Sequence, residues 1–200
     1  VLIASLVALR EDNLKARLAY STISQLSYIV LAAMLASSIG IVGGAMHIAT
    51  HAFGKITLFF CAGAIYAATG EIEISRMRGI GRRMPWTMGA FAIAAISMIG
   101  LPPTAGFVSK WYVLLGALEA ENMVALAILI VSTLLNAAYF LPIVYAAFFE
   151  PEMEFKRGGR GDAPPAMIAA MTASAAIAVL LFLFPGASLG LAGQLVEGAP

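Results

Sequence analysis

The sequence predicts an all-α protein, a polytopic transmembrane helical bundle of about six membrane segments, one of them broken by proline. Three observations carry that prediction. Apolar residues fill 61% of the 200 positions and the mean hydropathy is +0.91, where soluble domains are roughly half apolar. Charged residues are held to 12%, about half of the usual share of about 25%. These charges gather into short loops between uncharged runs close to the roughly 20 residues that cross about 30 Å of hydrocarbon.

Taken in order, residues 1–9 are apolar but too short to span a bilayer. Their charges, Arg10, Glu11 and Asp12, come after the apolar stretch, the reverse of a secretory signal. The stretch reads as the end of a longer helix and the chain as a portion of a larger polypeptide. Residues 18–37 supply the first complete span, and Ser37, Ser38, Ile39 and Gly40 are expected to turn the chain. Residues 41–68 form a longer second span interrupted by His47, His51 and Lys55. Residues 69–84 read as a polar loop carrying Glu71, Glu73, Arg76, Arg78, Arg82 and Arg83, and Pro85 suits the first turn of the next helix.

The third span, residues 85–100, is short and runs into Leu101, Pro102, Pro103, Thr104, Ala105 and Gly106. Two prolines remove backbone donors and disfavour helix on their N-terminal side, so a helix break is expected at Pro102, Pro103 and Gly106. Thr104 is positioned to cap residues 105–118, an apolar stretch interrupted by Lys110. Glu119 and Glu121 mark a loop, residues 122–149 form the fifth span, residues 150–165 a mixed-charge loop, and residues 166–184 the sixth span, ended by Pro185 and Gly186. If every segment crosses, Arg10, Lys15, Arg17, Arg76, Arg78, Arg82 and Arg83 share one side against Lys156, Arg157 and Arg160 on the other. The positive-inside rule puts the first side in the cytoplasm.

The net charge of +1, with basic residues scattered among acidic ones, lacks the concentrated positive face that phosphate backbones require, which argues against nucleic acid as a partner. Cys61 is the single cysteine, so an internal disulfide and a cysteine-built metal site are excluded, and it reads as a small core residue. Phe59, Phe60, Trp111 and Tyr112 read as packing and interface anchors, and no cofactor is assigned. Gly63, Gly100 and Gly106 permit close helix packing.

An ionisable group at the bilayer centre costs about 2.5 to 3.5 kcal/mol on insertion scales, so such groups face a protein interior or a hydrated cavity. His47, His51 and Lys55 recur every four residues, on one face of a helix and about 6 Å apart along its axis. Such a row, bridged by ordered water, can hand protons along the helix. A single buried histidine is usually structural; three groups on one face, with Lys55 too deep to snorkel easily, are harder to explain that way. Zinc chelation by the histidine pair is the other use of this spacing, but the metalloprotease pattern needs Glu after the first His and Ile48 stands there, so no metal is assigned.

Lys110 follows the proline break, where discontinuous helices bring exposed backbone ends and ionisable side chains together. The plainer alternative is a lysine that snorkels to an interface. Lys15 by position is a membrane-surface lysine, yet Ser21, Thr22, Ser24, Gln25 and Ser27 make the following span polar enough to line water or other helices, which keeps Lys15 a candidate.

The segments LKARLAYSTISQLSYIVLAA (residues 14–33), HIATHAFGKITLFFCAG (residues 47–63) and GIGRRMPWTMGAFAIAAISMIGLPPTAGFVSKWYVLLGALEA (residues 79–120) resemble the antiporter-like subunits shared by respiratory complex I and the Mrp-type multisubunit sodium/proton antiporters, most of all the D-type subunit of the Mrp antiporters. The resemblance implies a subunit of about fourteen helices built from two inverted five-helix repeats, with lysines and histidines along the membrane midplane. Residues 1–200 would be its C-terminal half, the second repeat plus the terminal helix. The family's lysine-and-histidine row would fall on His47, His51 and Lys55, its broken-helix lysine on Lys110 and its connecting lysine on Lys15. The implied function is proton or cation/proton translocation in a multi-pass cytoplasmic (inner) membrane protein, beside other integral membrane subunits, with the lipid bilayer, protons and Na+ as partners. A complex I membrane-arm subunit is the alternative. An intramembrane enzyme using Ser109 or a histidine would need a nucleophile beside a base, a pattern not visible locally, and a structural anchor would not need the buried charges.

Overall fold

The computed structural model describes residues 1–155 and 161–197. Nine α-helices are present among the described residues: α1 (Leu2–Arg10), α2 (Leu14–Met34), α3 (Ser38–Thr69), α4 (Ile80–Arg83), α5 (Pro85–Ile99), α6 (Ala105–Glu119), α7 (Met123–Phe149), α8 (Pro165–Leu183) and α9 (Gly186–Glu197). A 3₁₀ turn, Ile74–Arg76, precedes α4. The six expected spans correspond to α2, α3, α5, α6, α7 and α8, and the fold is a polytopic helical bundle.

Local chemistry sets the helix ends. Asn13 accepts from the Ala16 amide at 3.1 Å, which starts α2 four residues earlier than the hydropathy suggested. Ser37 accepts from the Gly40 amide at 2.9 Å, so the segment expected to turn is instead the cap and first turn of α3; the turn falls at Leu35–Ser37 and includes Ala36 at φ 52°. Asn122 caps α7 through the Ala125 amide at 3.0 Å. Pro85 opens α5 as expected.

The proline break is present: α5 ends at Ile99 and α6 begins at Ala105. Thr104 holds the N-cap position, but its hydroxyl donates backward to the Leu101 carbonyl at 2.7 Å and makes no cap bond. The expected capping role is therefore corrected. A second correction concerns the C-terminal end, where Pro185 and Gly186 end α8 but a further apolar helix, α9, follows at once. The Pro185 carbonyl accepts from the Leu189 amide at 2.9 Å and the Ser188 hydroxyl at 3.0 Å, so the break also seeds the next helix. The expected polar loop of residues 69–84 is also more ordered than its charge suggested, holding the 3₁₀ turn and α4. Lys156, Arg157 and Arg160, on which the orientation count partly rests, lie outside the described residues.

Helix α3 organises the bundle. At 32 residues it is about 48 Å long, and α2, α5, α6, α8 and α9 all pack against it. Helices α3, α7 and α8 are each long and apolar enough to cross a membrane. Helices α5 and α6 have 15 residues each, about 22 Å, and neither spans about 30 Å alone. Ile23, Val30, Leu134, Phe149, Leu180 and Leu195 are exposed, an apolar surface suited to acyl chains. The interior carries the polar groups instead. Gln25, His47, Thr50, His51, Lys55, Ser109, Lys110 and Asn136 are all buried.

Two glycine contacts bring α3 and α6 close enough to join their polar faces. A Cβ on Gly43 would lie 2.6 Å from the Val113 nitrogen, and one on Gly116 would lie 2.5 Å from the Gly40 nitrogen. Small residues at such crossings let backbones approach and replace the hydrophobic drive that lipid cannot supply.

Candidate functional site

Lys55 is the eighteenth residue of the 32 in α3, near its midpoint, and is 6% exposed. Its Nζ donates to the Leu18 carbonyl at 3.0 Å and to the Ser21 hydroxyl, and lies 5.8 Å from the centre of the Phe140 ring. The Ser21 hydroxyl in turn donates to the Leu18 carbonyl at 2.9 Å, within its own helix. It presents oxygen to the amine without breaking α2.

Lys110, 4% exposed, is held differently. Its Nζ donates to the Met98 carbonyl at 2.9 Å and the Ile99 carbonyl at 3.0 Å, and sits 4.8 Å from the centre of the Tyr28 ring. Those carbonyls are the last of α5, freed because Pro102 and Pro103 stop the helix. The negative end of a helix dipole, two carbonyls and a ring face together stabilise a cation without a carboxylate. Gly100, at φ 90°, makes the approach possible: a Cβ there would be 2.6 Å from Lys110 Cδ. Gly106 serves the same junction, since a Cβ would collide with the Ser97 carbonyl. Among the described residues, neither lysine is paired with a carboxylate.

The histidines lie between the amines. His47 and His51 stack with ring centres 6.1 Å apart, and Tyr28 stacks on the other side of His47 at 5.7 Å. His47 Nδ1 meets Ser109 Oγ at 2.9 Å and Nε2 meets Gln25 Oε1 at 3.0 Å. Gln25 Nε2 then donates to the Met98 carbonyl at 3.2 Å, the same oxygen that Lys110 uses. A continuous polar connection therefore runs from His47 through Gln25 and the Met98 carbonyl to Lys110. With both ring nitrogens so committed, His47 is not arranged to chelate a metal. His51 Nε2 is buried and has no hydrogen-bond partner among the described residues.

The structure thus brings His47, His51, Lys55 and Lys110 into one buried polar row. It does not bring Lys15 there. Lys15 is exposed at the start of α2, its Nζ 4.9 Å from the centre of the Tyr66 ring near the end of α3. Ser21 and Gln25 stand in the sequence only as part of a polar span, and Tyr28, Thr50 and Phe140 do not stand out as site residues. Ser21, Gln25 and Tyr28 recur at helical spacing on one face of α2, and that is the signal by which they could have been found. Ser109 does lie beside a histidine, as the enzyme alternative requires, and it is fully buried.

A family model described as NADH:quinone oxidoreductase/Mrp antiporter, TM, matches residues 1–136. The chain belongs to this family. NADH-quinone oxidoreductase subunit N of Desulforudis audaxviator is 45% identical over 150 residues, 75% of this chain and 30% of that one. A chain of the Mrp complex from Dietzia sp. aligns with a TM-score of 0.85 at 25% identity, covering 96% of this chain and 44% of that one. A chain of respiratory complex I from Thermus thermophilus with bound NADH aligns with a TM-score of 0.83 at 28% identity, covering 96% of this chain and 41% of the other. The chain therefore spans less than half the length of these antiporter-family relatives. Both solved relatives are parts of multisubunit membrane complexes.

Proposed function

We propose that residues 1–200 form the C-terminal half of a proton-translocating antiporter-like subunit, the second helix repeat plus the terminal helix, in a multi-pass protein of the cytoplasmic (inner) membrane. One observation carries the reading: two amines and two imidazoles are buried in one polar row of a membrane bundle with no counter-carboxylate among the described residues. A structural role gives no reason to bury four titratable groups together, while a proton path needs groups that gain and lose charge. Lys55 and Lys110 hold the proton in turn, His47 and His51 stand between them, and Lys15, exposed at the start of α2 and apart from the row, is the lysine assigned to the connection with the other half of the subunit. The chain performs no covalent chemistry of its own, and its partners are other integral membrane subunits, lipid, protons and Na+.

The setting in mind is an Mrp-type cation/proton antiporter, supported by the 0.85 TM-score to a chain of such a complex. A second reading, a membrane-arm subunit of complex I, is favoured by the 45% identity to a subunit N. Copurification separates them: flavin and iron-sulfur subunits mark complex I, and small membrane subunits alone mark the antiporter.

The test is proton flux by the intact complex in vesicles carrying a pH-sensitive dye. Lys55→Ala and Lys110→Ala are expected to abolish translocation while the complex still assembles. Parental flux in both variants overturns the proposal.

A further inference from the structure

Resting on the pathway reading above, we propose that Ser109 and Gln25 are positioning residues that decide which nitrogen of His47 exchanges protons, the Ser109 hydroxyl acting as a two-position rotor tied to the charge of that ring. The Gln25 side chain fixes one half of the arrangement. Its partner at 3.2 Å is the Met98 carbonyl, which only accepts, so the amide NH₂ faces Met98 and the amide oxygen faces His47. His47 Nε2 must then donate, and in the neutral ring Nδ1 carries the lone pair. Ser109 donates to that lone pair across 2.9 Å.

The second half is the choice open to the Ser109 hydroxyl. Besides His47 Nδ1, it reaches the Gly106 carbonyl at 3.2 Å, the i−3 carbonyl of its own helix. Thr50 completes the set, its hydroxyl 3.2 Å from Ser109 Oγ and 3.2 Å from the His47 carbonyl. When a hydrated proton or a protonated lysine delivers a proton to Nδ1, one N–H bond forms there and the ring becomes a cation. Ser109 then accepts from Nδ1 and turns its own hydrogen to the Gly106 carbonyl; Thr50 keeps an acceptor in either case. The proton donor's own O–H or N–H bond breaks as the Nδ1–H bond forms, leaving water or a neutral amine; no other covalent bond breaks, and return of the same proton to that donor reverses the sequence. Both charge states of His47 thus have complete hydrogen bonding, the condition for a buried polar network to be stable.

The consequence is directional. Nε2 stays bound to an amide oxygen, which does not relay a proton, so exchange is confined to Nδ1, on the Ser109 side of the ring. The other groups facing His47 are His51 on α3, Tyr28 on α2 and Lys110 on α6. None of them contacts Nδ1 in place of Ser109.

Solid-state ¹⁵N NMR of histidine-labelled intact complex in membranes tests this directly, with the His47 signals assigned by their loss in His47→Gln. A protonated Nε2 and an unprotonated Nδ1 in the neutral ring are expected. Ser109→Ala is expected to slow proton flux roughly three- to tenfold, the range for losing one buried hydrogen bond, and Ser109→Thr, which restores a hydroxyl, to recover most of that loss. A neutral ring protonated at Nδ1 overturns the inference whatever the flux. Parental flux in Ser109→Ala, alongside inactive Lys55→Ala and Lys110→Ala, overturns it while leaving the pathway standing. Parental flux in the lysine variants overturns the pathway and this inference together.

Discussion

The contact between α3 and α6 at Gly43 offers a perturbation whose size follows from geometry. A Cβ at that position would sit 2.6 Å from the Val113 nitrogen and 2.8 Å from Tyr112 Cβ. Carbon contacts are most favourable near 3.5–4.0 Å, and the atoms met are backbone and a Cβ, which cannot swing aside. Gly43→Ala therefore forces the two helices apart by about 1 Å at a cost of about 1–3 kcal/mol, the usual range for overpacking. His47 lies one turn beyond Gly43 and Ser109 one turn before Val113, so their 2.9 Å bond is stretched past 3.5 Å. The assay pairs thermal unfolding of the purified complex with proton flux in vesicles. Both are expected to fall, flux by about tenfold at a cost near 1.4 kcal/mol. Gly89→Ala is the control, because a Cβ there meets nothing within 4 Å. Parental stability and flux in Gly43→Ala would refute the close α3–α6 contact on which the buried row depends.

Other expectations follow from single contacts. Ser21→Ala removes one of the two oxygens that hold Lys55 but leaves the Leu18 carbonyl; flux is expected to drop several-fold in a complex of normal subunit composition. Gly106→Ala drives a methyl into the Ser97 carbonyl, and its cost, at or above about 3 kcal/mol, should appear on native gels as loss of assembled complex. Asp162 accepts from the Trp86 amide at 2.8 Å, the Thr87 amide at 3.2 Å and the Thr87 hydroxyl, closing the start of α5. Asp162→Ala is expected to lower stability by about 1–2 kcal/mol with flux intact, read by thermal unfolding.

Most of the bundle was legible in the sequence because a bilayer imposes a length and forbids scattered charge, so uncharged runs and charged loops mark the spans. Pro102 and Pro103 announced the break for a purely local reason, the lost donors. What stayed hidden depends on partners. Thr104 looks like a cap, but its hydroxyl finds the Leu101 carbonyl first. Helix α9 was missed because Pro185 and Gly186 read as a terminator, whereas the Pro185 carbonyl also nucleates the turn that follows. In the candidate site, His47, His51, Lys55 and Lys110 stood out because each is costly in a membrane. Gln25 was visible only as part of a polar span and Ser109 only as the nucleophile of the enzyme alternative, since neutral polar residues are cheap enough to occur for many reasons, and only the fold puts them on the two nitrogens of one ring.

Proton transfer along the row requires the Lys55 and Lys110 amines to sit at mid-depth in a hydrated protein interior and not at the headgroups. A high-resolution cryo-EM map of the intact complex in lipid nanodiscs measures this directly. Both amines are expected near the bilayer centre, with ordered water against His51 and along the row between them. Amines at the headgroup level, or a dry row sealed by apolar side chains, would rule the pathway out.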